Sequence, residues 1–252
     1  MSGHSKWSTI KRKKAATDAK RGQLFTKIAR ELTVTARQGG GDSNVNFRLR
    51  LVIDKAKQAN MPKDSIERAI KRGTGEIKGE AFEEIRYEGY GPHGVALILD
   101  ALTDNRNRAV ADIRRLLTRS GGSLGETGSV TWLFDQKGLI IIEADGQAAE
   151  EFALQAIDAG ADDVRIENGL VEIYTRPTEF QKVKETLERE GVPFSSAEIT
   201  MLPKTLIQLG EKETIPIMHL IEALEALEDV QQVYSNLDIS AEVVDSYEYE
   251  AA

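Results

Sequence analysis

The chain has 252 residues, of which 40% are hydrophobic, and a formal net charge of −8 at pH 7. This length predicts a globular protein of two or three domains. The absence of cysteine excludes disulfides, thiolate catalysis and cysteine-ligated zinc, and it suits a reducing cytosol. Because no stretch approaches the roughly 20 apolar residues of a membrane span and no signal-peptide core is visible, we expect a soluble cytoplasmic protein without membrane contact.

Charge is distributed unevenly along the chain. Residues 1–80 contain 19 Lys or Arg and 8 Asp or Glu, whereas the remaining residues contain 14 and 33. A basic end on an acidic body predicts an anionic partner that meets only one end of the molecule. Nucleic acid is the commonest such partner, because each neutralised phosphate releases counterions. A solubilising tail or a localisation signal is the alternative interpretation.

The densest basic stretch lies between residues 3 and 30, which hold nine Lys or Arg against one acid, Asp18. Residues 1–10 show no periodicity and are expected to form an arm that becomes ordered on contact. Trp7 either packs on a domain surface or stacks on a base. The candidate nucleic-acid contacts are Lys6, Trp7, Lys11, Arg12, Lys13, Lys14, Lys20, Arg21, Lys27, Arg30, Lys63, Arg68, Lys71 and Arg72.

Residues 13–38 are predicted to form an amphipathic helix that ends at three glycines. At about 100° per residue, its apolar side chains share one face: Leu24, Phe25, Ile28, Leu32 and Ala36. Its basic side chains fall nearly opposite: Lys20, Lys27, Arg30 and Arg37. We expect the apolar face to enter a core and the basic face to contact phosphates.

Two shorter helices are predicted to complete a basic domain that ends near Gly79. The first runs from about Asn46 to Ala59, and its expected inward residues are Phe47, Leu51, Val52 and Ala56. The second begins at Pro62, with Gly73 expected just beyond its end. Neither helix carries a set of side chains suited to reading base edges, so no recognition helix is assigned.

From Ala81 the pattern changes to strands. Residues 83–91 and 95–102 predict two strands joined by a turn at Gly91–Gly94, and the GxGxxG spacing there is spurious because a strand follows it. A helix capped by Asp104 or Asn105 follows, and residues 130–134 (VTWLF) are expected to be a strand. The arginines of this helix either form a solvated, acid-paired face or make a second nucleic-acid contact: Arg106, Arg108, Arg114, Arg115 and Arg119.

Residues 138–203 alternate as strand-helix-strand-strand-helix-strand, which is the ferredoxin-like order. The preceding unit lacks a second helix, and the chain supplies one only after residue 203. We therefore predict an α+β fold, with an N-terminal helical domain and two ferredoxin-like α/β domains, one inserted in the other. The expected domains are 1–79, 80–136 plus 204–240, and the inserted 137–203, followed by a frayed acidic tail, 241–252.

The sequence does not point to catalysis. The histidines are isolated in the sequence, and His219 is expected to be a satisfied core residue. No spacing suggests a metal site, a P-loop or an activated nucleophile. We expect a monomeric, non-enzymatic protein with no cofactor, no metal and no small-molecule substrate.

Several long motifs point to a known family. They are GHSKW at 3–7, KAATDAKRGQLFTKIARE at 14–31, NMPKDSIERAIKRGTG at 60–75, YEGYGP at 87–92, TDNRNR at 103–108 and GGSLGETGSVTWLF at 121–134. In collinear order along essentially the whole chain, they closely resemble the YebC family. His93 stands where that family usually has Gly, and Trp132 where Tyr is common.

The resemblance implies a helical N-terminal domain and two α/β domains, one inserted in the other, without catalytic residues. Members of the family are generally described as DNA-binding transcriptional regulators. Mitochondrial relatives act as translational activators, and bacterial members have been linked to translation on the ribosome. The hypotheses are therefore a DNA-binding transcriptional regulator, a ribosome-associated translation factor that binds ribosomal RNA, and an adaptor whose basic end meets an acidic protein.

Overall fold

The computed structural model describes residues 18–167 and 169–250, which fall into two compact units. The first unit contains residues 18–133 and 205–250, and the second contains residues 134–204. The chain therefore leaves the first unit, builds the second and returns. The architecture is mixed α/β, with helices at the N-terminal end and antiparallel sheets in both units.

The elements follow one another in three stretches. The first stretch comprises α1 (Asp18–Gly39), α2 (Phe47–Gln58), α3 (Lys63–Thr74), β1 (Glu83–Tyr90), β2 (Ala96–Thr103), α4 (Arg106–Arg119) and β3 (Ser123–Leu124). The second unit comprises β4 (Phe134–Glu143), α5 (Gly146–Ala159), β5 (Asp163–Glu167), β6 (Leu170–Thr175), α6 (Phe180–Arg189) and β7 (Ser196–Pro203). The chain then adds β8 (Ile207–Gln208), α7 (Glu211–Glu225), β9 (Val230–Ser235), β10 (Leu237–Asp238) and α8 (Ala241–Glu250) to the first unit.

The apolar face predicted for α1 enters the core formed with α2 and α3, where Ile28 and Leu32 are fully buried. In α2 the buried residues include Leu49, whereas Phe47 and Leu51 are only half-buried. Asn46 fixes this register, because its Oδ1 accepts the Leu49 N–H at 3.1 Å and its Nδ2 donates to the Thr35 carbonyl of α1 at 2.9 Å.

Gly73 lies inside α3, whereas the sequence predicts it just beyond the helix. The helix ends at Thr74, and Gly75 takes the left-handed conformation with φ 86°. A Cβ at residue 73 would lie 2.4 Å from the Thr33 carbonyl oxygen and 2.7 Å from the Ala36 Cβ. The close approach of α1 and α3 therefore depends on the missing side chain.

The four-stranded sheet of the first unit has the strand order β3-β1-β2-β9, and β8 and β10 form a separate parallel pair. Strands β1 and β2 form the predicted hairpin, and its turn contains exposed His93 with φ 57°. The predicted strand at residues 130–134 is wrong, since Thr131–Leu133 is a short 3-10 turn. Its backbone cannot join a ladder there, because the Glu88 carboxylate accepts the N–H groups of Val130 and Thr131.

The C-terminal stretch is also different from the expectation of a frayed tail. Helix α8 buries Val244 and Tyr247 in the core of the first unit. The Tyr247 hydroxyl donates to the Glu222 carboxylate at 2.7 Å and lies 3.0 Å from His219 Nδ1. His219 is exposed, contrary to the prediction of a core residue, because its neighbours Met218 and Leu220 occupy the buried face of α7.

The second unit contains a sheet of order β5-β6-β4-β7 with antiparallel neighbours throughout. Helices α5 and α6 supply buried residues such as Ala156, Phe180 and Leu187. Phe134, at the start of the unit, is the direct cross-strand partner of Pro203 near its end. The two connections to the first unit therefore leave from neighbouring positions. Within the described ranges, no helix is long and apolar enough to span a membrane.

Candidate nucleic-acid interface

The outer face of α3 carries three predicted contact residues, Arg68, Lys71 and Arg72, which we call the α3 cationic face. All three are exposed, and their spacing of three and four residues places them on one side of the helix. Their side chains make no hydrogen bond or ion pair with any described residue. Like charges at this spacing repel each other, so the face is suited to an anion.

The edges of this face are less strongly basic. Lys63, also a predicted contact, is exposed but lies 3.6 Å from the Glu67 carboxylate. Asp64 lies in the first turn of the helix. Lys78, which sequence reasoning missed, is exposed and unpaired within the described ranges. No local signal marks Lys78, because Glu76 and Glu80 flank it in the sequence.

Arg30 is placed differently from the prediction of an exposed phosphate contact. Its side chain is buried, with 9% of the residue exposed. Its guanidinium donates to Asp229 Oδ1 at 2.8 Å, to the Glu228 carbonyl at 3.1 Å and to the Glu228 carboxylate. Arg30 therefore fastens α1 to the α/β part of the first unit and has no face left for a phosphate.

Lys27 and Arg37, on the same face of α1, donate to backbone carbonyls. The Lys27 ammonium donates to the Glu225 carbonyl at the end of α7, and the Arg37 guanidinium donates to the Glu80 carbonyl at 3.1 Å. Lys27 thus contacts the α/β part of the same unit, whereas the exposed Arg37 contacts the segment between α3 and β1. Periodicity identified the face correctly as basic but carries no information on what lies against it.

Asp229 is the centre of this contact and is itself buried. Besides Arg30, it accepts from Arg108 Nε at 3.1 Å, and Arg108 also donates to Asp104 at 2.6 Å. The hydrogen bonds that Arg108 donates to Asp229 and then to Asp104 raise the pKa of Arg108. We call Arg30, Arg108, Asp104 and Asp229 the Asp229 cluster, in which Arg30 and Asp229 are buried and Asp104 and Arg108 are exposed.

The remaining predicted contacts divide into three groups. Arg21 is exposed on α1. Lys20 lies in α1, but its side chain is outside the described part of the structure. Six predicted residues lie outside the described ranges altogether: Lys6, Trp7, Lys11, Arg12, Lys13 and Lys14.

Three basic residues on α2 differ from those of the α3 cationic face because they have acidic partners. Arg48 is paired with Glu84, Lys55 lies 2.8 Å from Glu31, and Lys57 lies 3.9 Å from Asp54. Across the described residues, no group of three or more His, Asp or Glu could hold a metal ion.

The fold and these surfaces define a multidomain α/β protein with exposed, unpaired cations on an N-terminal helical part. The chain belongs to the TACO1/YebC family, as the motifs indicated. A model of the TACO1/YebC N-terminal domain matches residues 5–76, and a model of the TACO1/YebC second and third domains matches residues 82–237.

Relatives match over nearly their full length. A probable transcriptional regulatory protein of Geobacter sulfurreducens is 54% identical over 96% of this chain and 98% of its own. One from Dehalococcoides mccartyi is 51% identical over 100% of both chains. The crystal structure of a conserved hypothetical protein of Aquifex aeolicus is similar, with a TM-score of 0.81 and 47% identity over 88% of this chain and 92% of that one.

Proposed function

We propose that this protein is a nucleic-acid-binding regulator of gene expression and acts as a DNA-binding transcriptional regulator. The observation that carries the proposal is the α3 cationic face, where three exposed cations have no partner among the described residues. The names of the relatives, which are probable transcriptional regulatory proteins, support the same function. The action is binding, without a catalytic step.

The contacts would be to phosphates. Arg68 and Arg72 offer planar guanidinium groups that match phosphate oxygens, and Lys71 adds a point charge. Phosphate contacts position a protein on a duplex but do not read its sequence. The basic residues of the N-terminal segment would extend this contact, namely Lys6, Lys11, Arg12, Lys13, Lys14, Lys20 and Arg21.

Charge would also set the orientation on DNA. Beyond residue 80 the chain holds 33 acidic and 14 basic residues, so this part is repelled by a polyanion. The Asp229 cluster fastens α1 to the acidic part of the first unit. The helical part would therefore make the first contact with the duplex.

We also infer three domains, 1–79, 80–136 with 204–250, and the inserted 137–203, and assign both α/β domains to the ferredoxin-like class. The element order β4-α5-β5-β6-α6-β7 with strand order β5-β6-β4-β7 supports this class for the inserted domain. The buried residues of α8 support extending the discontinuous domain to residue 250 instead of ending it near 240.

The first prediction tests the α3 cationic face. Changing Arg68, Lys71 and Arg72 together to Ala should weaken binding to duplex DNA and lower the slope of log affinity against log salt by about one unit per lost contact. The measurement is fluorescence anisotropy with a labelled duplex across a salt series. The matched control changes Arg48, Lys55 and Lys57 to Ala, which removes the same charge from the acid-paired cations of α2 and should leave the slope near that of the wild type.

Two outcomes would contradict the proposal. A wild-type protein that does not bind duplex DNA even in dilute buffer is not a DNA-binding regulator. If ribosomal RNA displaces the duplex at equal phosphate concentration while a promoter fragment gains nothing over random duplex, the ligand is RNA and the transcriptional assignment is wrong.

A further inference from the structure

We propose that the exposed face of α4 is a second surface for the phosphate backbone of DNA. This face consists of Arg114, Arg115 and Arg119 and is called the α4 arginine face. It lies in the acidic half of the sequence, separate from the α3 cationic face. The inference rests on the proposed function, because it assigns a further contact to the same ligand.

The concentration of arginine in α4 is the first observation. The helix spans 14 residues and contains five arginines with a single acid, Asp112. The chain beyond residue 80 has 14 Lys or Arg in all, against 33 acids. More than a third of its basic residues therefore lie on one short helix, although the surroundings are strongly acidic.

The arginines in the first half of α4 both have acidic partners. Arg108 belongs to the Asp229 cluster, and Arg106 lies 3.9 Å from the Glu83 carboxylate. The charges of both side chains are therefore partly neutralised by acids, and neither is included in the proposed surface.

The second half of α4 is different. Ile113 and Leu117 are fully buried, whereas Arg114, Arg115 and Arg119 are exposed. Arg115 pairs with Asp112 at 3.0 Å, but Arg114 and Arg119 have no hydrogen-bond or ion-pair partner among the described residues. No contact within the described ranges explains why these two positions carry arginine.

Stabilisation of the helix itself explains only part of the distribution of arginines on α4. Arg119 lies in the last turn, where a cation is favoured by the helix dipole. That benefit falls off within one turn, so it does not extend to Arg114. It is also opposed by repulsion between Arg115 and Arg119, which are four residues apart.

The chemistry of the face fits phosphate. The exposed residues on this side of the helix also include Asn107, Ala111 and Thr118. The one acid of the helix, Asp112, is paired with Arg115, so no unpaired acid of the helix stands among the arginines to repel an anion. Guanidinium groups bind phosphate oxygens in a forked, two-point arrangement, and their charge persists at every accessible pH.

The second prediction, which tests this surface, uses the full-length protein with Arg114→Glu and Arg119→Glu together. We expect the salt slope for a labelled DNA duplex to fall by about two units and the affinity at low salt to fall at least roughly tenfold. The control is Lys182→Glu with Arg189→Glu on α6, which makes the same charge change at exposed positions of the second unit. Far-ultraviolet circular dichroism and thermal melting establish that both variants are folded.

The conservative variants separate charge from shape. Arg114→Lys with Arg119→Lys should keep most of the salt slope, whereas Arg114→Gln with Arg119→Gln should lose it.

If the double Glu variant binds DNA as well as the α6 control does, the second surface is overturned and the proposed function stands. If an acidic peptide is retained by the wild type and released by the double Glu variant while DNA affinity is unchanged, the face binds protein and the inference is equally wrong. Failure of the wild type to bind DNA would be distinct, because it removes the proposed function as well.

Discussion

Glu88 organises a loop of the first unit from a buried position. It is 3% exposed, and its carboxylate accepts the backbone N–H groups of Gly128 at 2.7 Å and of Val130 and Thr131 at 2.8 Å. Burial alone would raise the pKa of Glu88, but the backbone donors outweigh it, so the pKa is lowered. The acid therefore stays ionised and holds residues 128–131 in place.

The third prediction is that Glu88→Gln lowers the free energy of unfolding by about 2 to 3 kcal/mol at pH 7, because the amide presents an N–H to backbone donors that need an acceptor. A lowered folded-state pKa contributes stability above the unfolded value, near 4.3, and that contribution is lost as pH falls through the folded pKa. Urea unfolding should therefore show a smaller difference between variant and wild type at pH 3 than at pH 7.

The control for this prediction is Glu126→Gln, an exposed acid in the same loop, which should change the free energy of unfolding very little at either pH. A loss in Glu88→Gln that is the same at pH 3 and pH 7 would show that the carboxylate charge does not matter.

Gly73 shows why some residue-scale features escape sequence analysis. The sequence Arg-Gly-Thr-Gly near a predicted helix end leaves two glycines that could terminate the helix, and only the distance to α1 distinguishes them. Gly75 has the left-handed φ, and Gly73 has no space for a side chain.

The fourth prediction compares two helical glycines. Gly73→Ala should destabilise the protein by roughly 1 to 3 kcal/mol, because a methyl group would overlap the Thr33 carbonyl. Gly22→Ala has open space around it and should stabilise α1 slightly, owing to the higher helix propensity of Ala. Chemical denaturation of both variants measures the contrast, and equal effects would mean that α3 can shift away from α1 without cost.

On the scale of elements, the Asp229 cluster decides how α1 is used. The apolar face of α1 could be predicted, because its spacing depends only on nearby residues. The partner of its basic face could not be predicted, because Arg30 and Asp229 are 199 positions apart in the sequence. Net charge made the basic face of α1 look like a nucleic-acid contact, whereas the α3 cationic face can be distinguished only once the acidic neighbours are placed.

The fifth prediction concerns this cluster. Asp229→Ala should lower the free energy of unfolding by roughly 3 to 5 kcal/mol, because it leaves the buried Arg30 with only the exposed Glu228 carboxylate as a charged partner. Glu228→Ala removes an acid whose side chain is 63% exposed and should lose less than about 1 kcal/mol. If Asp229→Ala and Glu228→Ala lose the same stability in thermal or urea unfolding, then leaving the buried Arg30 without Asp229 costs no more than losing an exposed acid.

On the scale of the whole molecule, the order of helices and strands could be predicted from alternation, and the predicted inserted segment 137–203 falls within the compact unit 134–204. The insertion could be predicted because the unit before it lacks a second helix and the chain supplies an additional helix only after residue 203. The predictions of a strand at 130–134 and of a frayed tail were wrong. The backbone at 130–131 is held by the buried acid Glu88 of β1, and the C-terminal helix is held by the packing of Val244 and Tyr247. Neither influence is visible in local periodicity.

The burial of Arg30 has a practical consequence for handling the protein. Near 1 M salt the screening length is about 3 Å, which removes contacts between exposed charges but acts weakly on buried pairs. Washing with a concentrated chloride buffer during purification should therefore remove bound oligonucleotides from the exposed arginines, while the buried pair of Arg30 and Asp229 stays intact. Protein prepared in this way would be free of bound oligonucleotides in binding assays and would keep the contact between α1 and the α/β part of the first unit.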